Sequence, residues 1–152
     1  MNINTEEIKP IIHARPFSMR YTHHAGPVRS RFLISLRDEQ RITGTKCPSC
    51  GRVYVPDRST CLKCFEQMDE RVTVSDEGSL LTYAVINAPE PGWPLEPPFC
   101  YGIIRLDGAD TGMVHVLGEV DPEKISADMR VKAVFNEKRK GSIWDIQYFR
   151  PI

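Results

Sequence analysis

The sequence predicts a mainly β protein: an N-terminal arm and short helix, a rubredoxin-like ribbon that binds a metal ion, and a C-terminal five-stranded barrel. Two observations carry this prediction. Four of the five cysteines stand in two closely spaced pairs, and short runs of strand-forming residues separated by turns follow them. A chain of 152 residues suits one compact domain with a small appended module. We place the arm and helix at residues 1–43, the ribbon at 44–71 and the barrel at 72–152.

The first 29 residues predict an extended arm, because their apolar side chains follow no helical period and prolines and a glycine interrupt them. A helix is expected at about residues 30–41, with Ser30 as its N-cap and Thr43-Gly44 at its end. Residues 1–46 hold eight Lys/Arg and four Asp/Glu, although the whole chain has no net charge. The arm is therefore either a contact for an anionic ligand or acidic partner, or a solvated segment. Its candidate contact residues are Phe17, Arg20 and Tyr21.

The cysteine pairs carry the chemistry of this chain. Cys47, Cys50, Cys61 and Cys64 form the pattern C-x2-C-x10-C-x2-C, in which each pair can turn two sulfurs toward one ion. We expect one structural Zn²⁺ per chain, with iron as the rival because sulfur ligation alone does not select between them. Four thiolates close the coordination sphere, so hydrolytic chemistry at the metal is not expected. Gly51 follows the first pair, where the turn favours a positive φ.

The residues after the ribbon predict five strands, at 80–86, 101–106, 112–117, 129–135 and 142–149. Glu77-Gly78 reads as a turn, and residues 121–125 as one helical turn between the third and fourth strands. This order is typical of an oligonucleotide/oligosaccharide-binding (OB) barrel. The connection 87–99 holds five prolines around Trp93, which predicts a semi-rigid loop. Trp93 is a candidate binding residue there, in a loop that is either a docking surface or a lid on its own barrel.

No catalytic residue is identified, because nucleophile elbows, phosphate loops and dinucleotide fingerprints are absent. Cys100 is expected to be a buried, inert thiol, and His115 a solvent-facing or hydrogen-bonded strand residue. His23-His24 reads as a polar loop, and Lys138-Arg139-Lys140 as a solvated hairpin tip. The chain shows no secretory signal and no apolar run long enough to span a membrane, so a cytoplasmic protein is expected.

The order of helix, ribbon and barrel resembles the DUF35 family of small zinc-ribbon/OB-fold proteins, over about residues 30–151. The resemblance rests on these segments: the helix Phe32–Leu36, Gly44–Gly51, Val55–Arg58, Cys61–Cys64, Gly78 and Phe149–Pro151. One departure is Asp128, where the family often has glycine.

The resemblance implies a function that the composition does not show. It implies a non-catalytic subunit of a thiolase-like enzyme that acts on acyl-CoA thioesters in fatty, steroid or aromatic acid metabolism, in a hetero-oligomer. This chain would contact the enzyme through its arm and the loop at Trp93, and a CoA thioester as the partner's substrate. The alternatives are a single-stranded nucleic-acid module, which the zero net charge argues against, a rubredoxin-like electron carrier, and a stand-alone enzyme. A nucleic-acid module would stack bases on Tyr83, Tyr101, Trp144 and Tyr148.

Overall fold

The computed structural model describes residues 9, 11–14, 19, 21–93 and 95–152. The described elements are α1 Gly26–Glu39, β1 Thr43–Lys46, β2 Val53–Tyr54, β3 Glu70–Thr73, β4 Glu77–Ile86, β5 Phe99–Leu106, β6 Met113–Leu117, β7 Arg130–Phe135, a 3₁₀-helix Ile143–Asp145 and β8 Ile146–Pro151. The predicted fold class, with one helix, a ribbon and a five-stranded barrel, is confirmed. Within the described residues, no helix has the length and apolar character needed to cross a membrane.

Helix α1 begins four residues before its predicted start. Its N-cap is Ala25, which makes no side-chain capping bond, and Pro27 lies in the first turn. Proline is tolerated there because its fixed φ suits a helix. Its missing N–H costs nothing, since N–H groups in the first turn have no acceptor within the helix. The prediction of Ser30 as N-cap is therefore wrong: Gly26 and Pro27 open the helix instead of ending the arm.

The end of α1 also differs from the prediction. Gln40 adopts the left-handed conformation, with φ at 54°, and its backbone N–H donates to the carbonyl of Ser35. Thr43 and Gly44 lie in β1 and do not terminate the helix. A Cβ on Gly44 would lie 2.6 Å from the carbonyl oxygen of Tyr54, so this glycine is needed for the close approach of β2.

The ribbon is a three-stranded antiparallel sheet with β1 at its centre, in the order β2-β1-β3. Thr45 pairs with Tyr54 on one side and with Arg71 on the other. Its small core consists of Cys47, Tyr54, Cys61 and Met68. Half of that core is cysteine, so little apolar packing holds the ribbon together.

The barrel closes in the order β4-β5-β6-β8-β7, with β7 returning to β4. Its pairs are antiparallel except where β6 meets β8 in parallel, at Leu117 and Phe149. The side chains that fill it are fully buried; among them are Leu80, Ile104, Val131, Ile146 and Phe149. Phe32 and Leu36 of α1 join the same core, with Leu33 packed against it. The helix therefore serves as a cap on the barrel.

Two details of the barrel correct the sequence prediction. Glu77 and Gly78 are the first residues of β4 and not a turn, and Gly78 pairs with both Leu106 and Val131. A Cβ on Gly78 would collide with the backbone of Arg105, so the glycine reflects close strand packing. The predicted last strand begins later, because residues 142–145 form a capped 3₁₀ turn before β8.

Hydrogen bonds between backbone and side-chain atoms fix the ribbon and α1 to the barrel. Val53 N donates to Asp110 Oδ2 and Val55 N to Thr111 Oγ1, each over 2.9 Å, where the turn between β5 and β6 meets β2. Arg139 Nε donates to the carbonyl of Arg37 over 2.7 Å and ties the β7–β8 connection to α1. The prediction of a solvated tip at residues 138–140 is therefore wrong for Arg139.

Candidate functional site

The four paired cysteines meet at one point of the ribbon. Cys47 and Cys50 lie in the turn between β1 and β2, and the second pair in the turn between β2 and β3. Their sulfurs all lie within 4.8 Å of one another. A tetrahedron with metal–sulfur bonds of about 2.3 Å has edges of about 3.8 Å, and the Sγ atoms of Cys50 and Cys61 lie 3.7 Å apart. The four thiols therefore have the spacing that one tetrahedral ion requires.

The backbone of both turns is shaped in the same way. Gly51 N donates to the carbonyl of Cys47, and Phe65 N to the carbonyl of Cys61, each over 2.9 Å. Both residues have a positive φ, +71° at Gly51 as expected and +60° at Phe65. Two further backbone N–H groups, of Lys63 and Cys64, approach the Cys61 sulfur at 3.4 Å. N–H groups directed at a sulfur favour its thiolate, the form that binds metal.

Tyr54 also belongs to this site, although no pattern in the sequence marks it. Its hydroxyl lies 3.3 Å from the Cys61 sulfur, and this hydrogen bond, together with those from the N–H groups of Cys64 and Lys63, lowers the pKa of Cys61 to about 6. A hydrogen bond with Cys50, together with burial, raises the pKa of Cys64 to about 12. Four adjacent thiols cannot all ionise without a cation to compensate their charge. The donor set therefore fits a metal ion held by sulfur alone.

All four positions of such an ion are taken by protein, so it would have no place for water or substrate. Among the described residues, these cysteines are the only group of three or more potential metal-ligating side chains that converge. The arrangement can stiffen the ribbon, and it offers no Lewis-acid site for a reaction.

A cleft of about 890 Å³ separates the start of α1 from the ribbon. Phe32, Leu33 and Leu62 give it apolar walls, and the guanidinium-bearing side chains Arg29 and Arg58 also line it. We refer to it as the helix–ribbon cleft. It joins apolar and cationic surface in one concave space.

Asp57 is the buried carboxylate of the helix–ribbon cleft. Its Oδ1 accepts a 2.9 Å hydrogen bond from Thr43 Oγ1, and Arg71 Nε lies 3.3 Å from Oδ2. Burial raises the pKa of Asp57, because the Thr43 bond and the Arg71 charge offset only part of the desolvation. The carboxylate therefore links β1 to β3 through neighbours from both strands.

The proline-rich loop places Trp93 against the outside of the barrel. Its ring lies 5.6 Å from the ring of Phe99 and 6.5 Å from that of Tyr101, and it stays partly exposed. Trp93 borders a pocket of about 340 Å³ whose wall also includes His115 and Trp144. We refer to this space as the tryptophan pocket.

Of the three candidates in the arm, the structure describes only Tyr21. Tyr21 is 75% exposed, and its ring lies beside that of His23, with ring centroids 5.9 Å apart. Phe17 and Arg20 lie outside the described residues. His24 Nδ1 accepts a hydrogen bond from Gly26 N, just where α1 begins.

Two residues behave as expected in the barrel. Cys100 is buried, and burial raises the pKa of its thiol, so it is a poor nucleophile. His115 is a hydrogen-bonded strand residue, whose Nδ1 accepts from Val116 N at 2.9 Å and whose Nε2 lies 3.3 Å from the carbonyl oxygen of Ile143.

The aromatic residues considered for base stacking do not form one platform. Tyr101 and Trp144 border the tryptophan pocket, whereas Tyr83 lies outside its lining. The Tyr148 hydroxyl is already engaged, because it donates a 2.6 Å hydrogen bond to Glu119, a carboxylate that Arg150 also approaches at 3.4 Å.

Comparison with known proteins matches the two structural units separately. Residues 35–69 match the family model of the ChsH2 rubredoxin-like zinc ribbon domain, and residues 71–136 that of the ChsH2 C-terminal OB-fold domain. A DUF35 domain-containing scaffold protein of Methanocaldococcus jannaschii is 29% identical over 125 residues, which cover 77% of this chain and 86% of the relative. One from Pyrococcus furiosus is 28% identical over 127 residues, covering 81% and 92%.

Solved structures agree with these matches. A DUF35-family protein of unknown function from Sulfolobus solfataricus superimposes with a TM-score of 0.64 at 24% identity, over 84% of this chain and 87% of that one. An Ltp2-ChsH2(DUF35) aldolase gives 0.63 at 22% identity, over 85% and 98%. The ribbon and the barrel match in chain order, and the scaffold relatives span both. The chain therefore belongs to the DUF35 family, with a rubredoxin-like zinc ribbon and a C-terminal OB-fold domain.

Proposed function

We propose that this protein is a non-catalytic accessory subunit that assembles with a thiolase-like enzyme acting on acyl-CoA thioesters. Two comparisons support the proposal: relatives are scaffold proteins by name, and one structural neighbour is an Ltp2-ChsH2(DUF35) aldolase. The observation that carries it is the surface of the arm. There, large apolar side chains lie in solvent beside a folded ribbon and barrel.

The exposure of the arm is unusual for a chain that acts alone. Ile11 and Ile12 are each 84% exposed, and Met19 and Tyr21 are also mostly exposed. Burying one such side chain contributes about 1.5–3 kcal/mol, and aromatic residues and Met are enriched at protein interfaces. A partner enzyme that covers the arm would gain this free energy.

The metal has a supporting role in this proposal. The four paired cysteines bind one structural Zn²⁺ per chain, which holds the two turns of the ribbon together. A stiff ribbon then fixes Arg58 and Leu62 as one wall of the helix–ribbon cleft.

The helix–ribbon cleft is the place where this chain would contact the partner's substrate. A CoA thioester combines phosphates with an apolar arm, and the cleft combines Arg29 and Arg58 with apolar walls. We therefore include contact with a CoA thioester in the proposal.

Affinity purification of the tagged full chain from its native host tests the assembly. We expect mass spectrometry to identify a thiolase-like subunit in stoichiometric amount. The double variant Ile11→Ser/Ile12→Ser should lose most of it, whereas Ile34→Ser, which changes an exposed isoleucine of α1, should retain it. Thioester cleavage or condensation by the purified chain alone would contradict the proposal, as would recovery of the chain without any enzyme.

The contact with CoA is tested on the purified complex. Titration with acetyl-CoA should give weaker binding in the double variant Arg29→Ala/Arg58→Ala, while the subunits remain assembled. Unchanged affinity in that variant would remove the helix–ribbon cleft from the proposal and leave the assembly itself untouched.

A further inference from the structure

Both tryptophans of the chain lie at one pocket, although they come from distant parts of the sequence. Trp93 belongs to the β4–β5 loop, and Trp144 to the 3₁₀-helix that precedes β8. The wall between them comes from β5 and β6, through Tyr101 and Val116 among others. Ligands of OB barrels generally bind on the second and third strands, between the loops at either side. The tryptophan pocket occupies that position here.

The walls of the pocket are held in place before any ligand arrives. Trp93 contacts Phe99 edge to face, and Trp144 contacts His115 in the same way, with ring centroids 5.5 Å apart. The backbone around Trp144 is fixed as well: its N–H donates to Ser142 Oγ and its carbonyl accepts from Asn136 Nδ2. Such preorganisation reduces the entropy lost on binding.

Among the residues that the structure describes, eight side chains line the pocket, and none of them carries a formal charge when His115 is neutral. His115 is held neutral by its bonds, because Nδ1 accepts from Val116 N and leaves only Nε2 to donate, toward the carbonyl of Ile143. Burial also lowers the pKa of His115. The pocket therefore offers aromatic and aliphatic surface without an ion to pair with a charged ligand.

The volume of about 340 Å³ lies at the lower end of the range for small-molecule sites. A phosphate-bearing strand would need cations beside the stacked base, and the described part of the lining has none. A flat uncharged ring, in contrast, would contact the two indoles and the Tyr101 ring and would expose no unpaired charge.

We propose that the tryptophan pocket binds the uncharged ring system of a small molecule between Trp93 and Trp144. This site is separate from the helix–ribbon cleft, although Ile143 lies beside both. The inference does not depend on the partner enzyme, so its test uses the full chain alone.

The test compares two dyes that differ by one charged group. N-phenyl-1-naphthylamine is neutral, and 1-anilinonaphthalene-8-sulfonate is the same ring system with a sulfonate. We expect the neutral dye to bind saturably and to quench the emission of the two tryptophans, and the sulfonate to bind at least about tenfold more weakly, because its charge would be unpaired. Absence of saturable binding, or equal affinity for both dyes, would overturn the proposal.

Variants locate the dye. Trp93→Ala and Trp144→Ala should each weaken the neutral dye roughly tenfold through loss of an aromatic wall, whereas Trp93→Phe and Trp144→Phe should retain most affinity. Leu62→Ala serves as the control at the helix–ribbon cleft and should bind as the parent does. Loss of binding in Leu62→Ala alone would place the dye in the helix–ribbon cleft and would overturn the proposal.

A variant that introduces a positive charge tests whether the dye lies in this pocket. Val114 is exposed at the pocket wall, so Val114→Lys should fold normally and should reverse the preference, favouring the sulfonate over the neutral dye. An unchanged preference in a folded Val114→Lys protein would show that the dye binds elsewhere. Displacement of the neutral dye by oligothymidylate at low salt would identify the pocket as a nucleic-acid site and would also overturn the proposal.

Discussion

At the scale of single residues, Asp145 shows how one buried carboxylate organises a loop. It is 2% exposed, and its oxygens accept hydrogen bonds from the backbone N–H groups of Lys140, Gly141 and Ser142 at 2.9, 2.8 and 3.3 Å. The sequence marks it only as an isolated acid. Its role comes from the fold of residues 136–145, which brings these N–H groups around one side chain.

Asp145→Ala should lower the free energy of unfolding by about 2–3 kcal/mol, because it leaves three partly buried N–H groups without a charged acceptor. Urea denaturation followed by circular dichroism measures this. Asp121→Ala is the matched control, since the exposed Asp121 carboxylate accepts one bond from Glu123 N and pairs with the exposed Lys124 ammonium, and its loss should cost less than about 1 kcal/mol. Equal effects of the two substitutions would show that Asp145 is not a structural centre.

His115 makes the stability of the barrel depend on pH. Burial lowers its folded-state pKa from the ordinary 6.5. The unfolded chain therefore binds a proton at a higher pH than the folded chain, and the unfolded state gains stability as the pH falls below about 6.5. A proton on Nδ1 would also abolish the bond that this atom accepts from Val116 N.

We expect the urea midpoint of the parent protein to fall as the pH is lowered from 7 through 6.5 and below. His115→Gln has no titrating ring, so its midpoint should change less over this interval, whatever its absolute stability. His13→Gln changes an exposed histidine and should follow the parent curve. If His115→Gln showed the same slope as the parent protein, another group would be responsible.

At the scale of elements, the two cysteine turns of the ribbon are similar in backbone and different in sequence. Gly51 occupies the left-handed position in the first turn and Phe65 in the second. A side chain other than glycine's in this conformation costs about 1–2 kcal/mol of conformational free energy. Because Phe65 is 80% exposed, packing of its ring offsets little of this cost.

Phe65→Gly should therefore stabilise the metal-loaded ribbon by up to about 1 kcal/mol, after allowance for the greater freedom of glycine in the unfolded chain. Leu62→Gly, at an exposed apolar position of the same turn without a positive φ, should destabilise it. Thermal unfolding of both variants shows whether each substitution raises or lowers the stability of the protein. A destabilising Phe65→Gly would mean that Phe65 packs against something within this chain.

Replacement of a cysteine ligand, followed by measurement of the metal content, is a second test of the ribbon. Cys64→Ser should release the metal and loosen both turns, because serine is a poor ligand for zinc. Cys100→Ser is the control, since this thiol lies in the barrel core and not near the paired cysteines. Metal analysis of the parent protein should give one zinc per chain, and the protein should be colourless. A full zinc content in Cys64→Ser would contradict the ligand assignment.

At the scale of the whole molecule, the two hydrophobic cores contribute unequally to stability. The ribbon core consists of Cys47, Tyr54, Cys61 and Met68, whereas the barrel core is larger and includes Phe32 and Leu36 of α1. The ribbon therefore depends on its metal, and the barrel on apolar packing.

A strong chelator should accordingly unfold the ribbon and leave the barrel folded. Amide hydrogen exchange should show lost protection at Cys47, Gly51, Cys61 and Phe65, whose N–H groups form the bonds of the turns. Protection in β5 should persist. Loss of protection throughout the barrel on demetallation would show that the two units fold as one.

Local patterns in the sequence were sufficient for the ribbon and for the number and order of the barrel strands. Cysteine spacing acts over two or three residues, and strand patterning over five or six, so both can be recognised without tertiary contacts. The error at α1 arose because Gly26 and Pro27 are common breakers, although proline also suits the first turn of a helix. The boundaries at 43/44 and 71/72 stay predictions.

The four-sulfur site and the closed β-barrel could both be inferred from the amino-acid sequence, because both follow from the spacing of neighbouring residues. Only the tertiary structure brought Tyr54 to Cys61, Arg139 to α1, and Trp93 to the same pocket as Trp144. These contacts join residues from separate turns and strands. Their existence depends on how the barrel closes and where the ribbon is fixed to it, which no local pattern encodes.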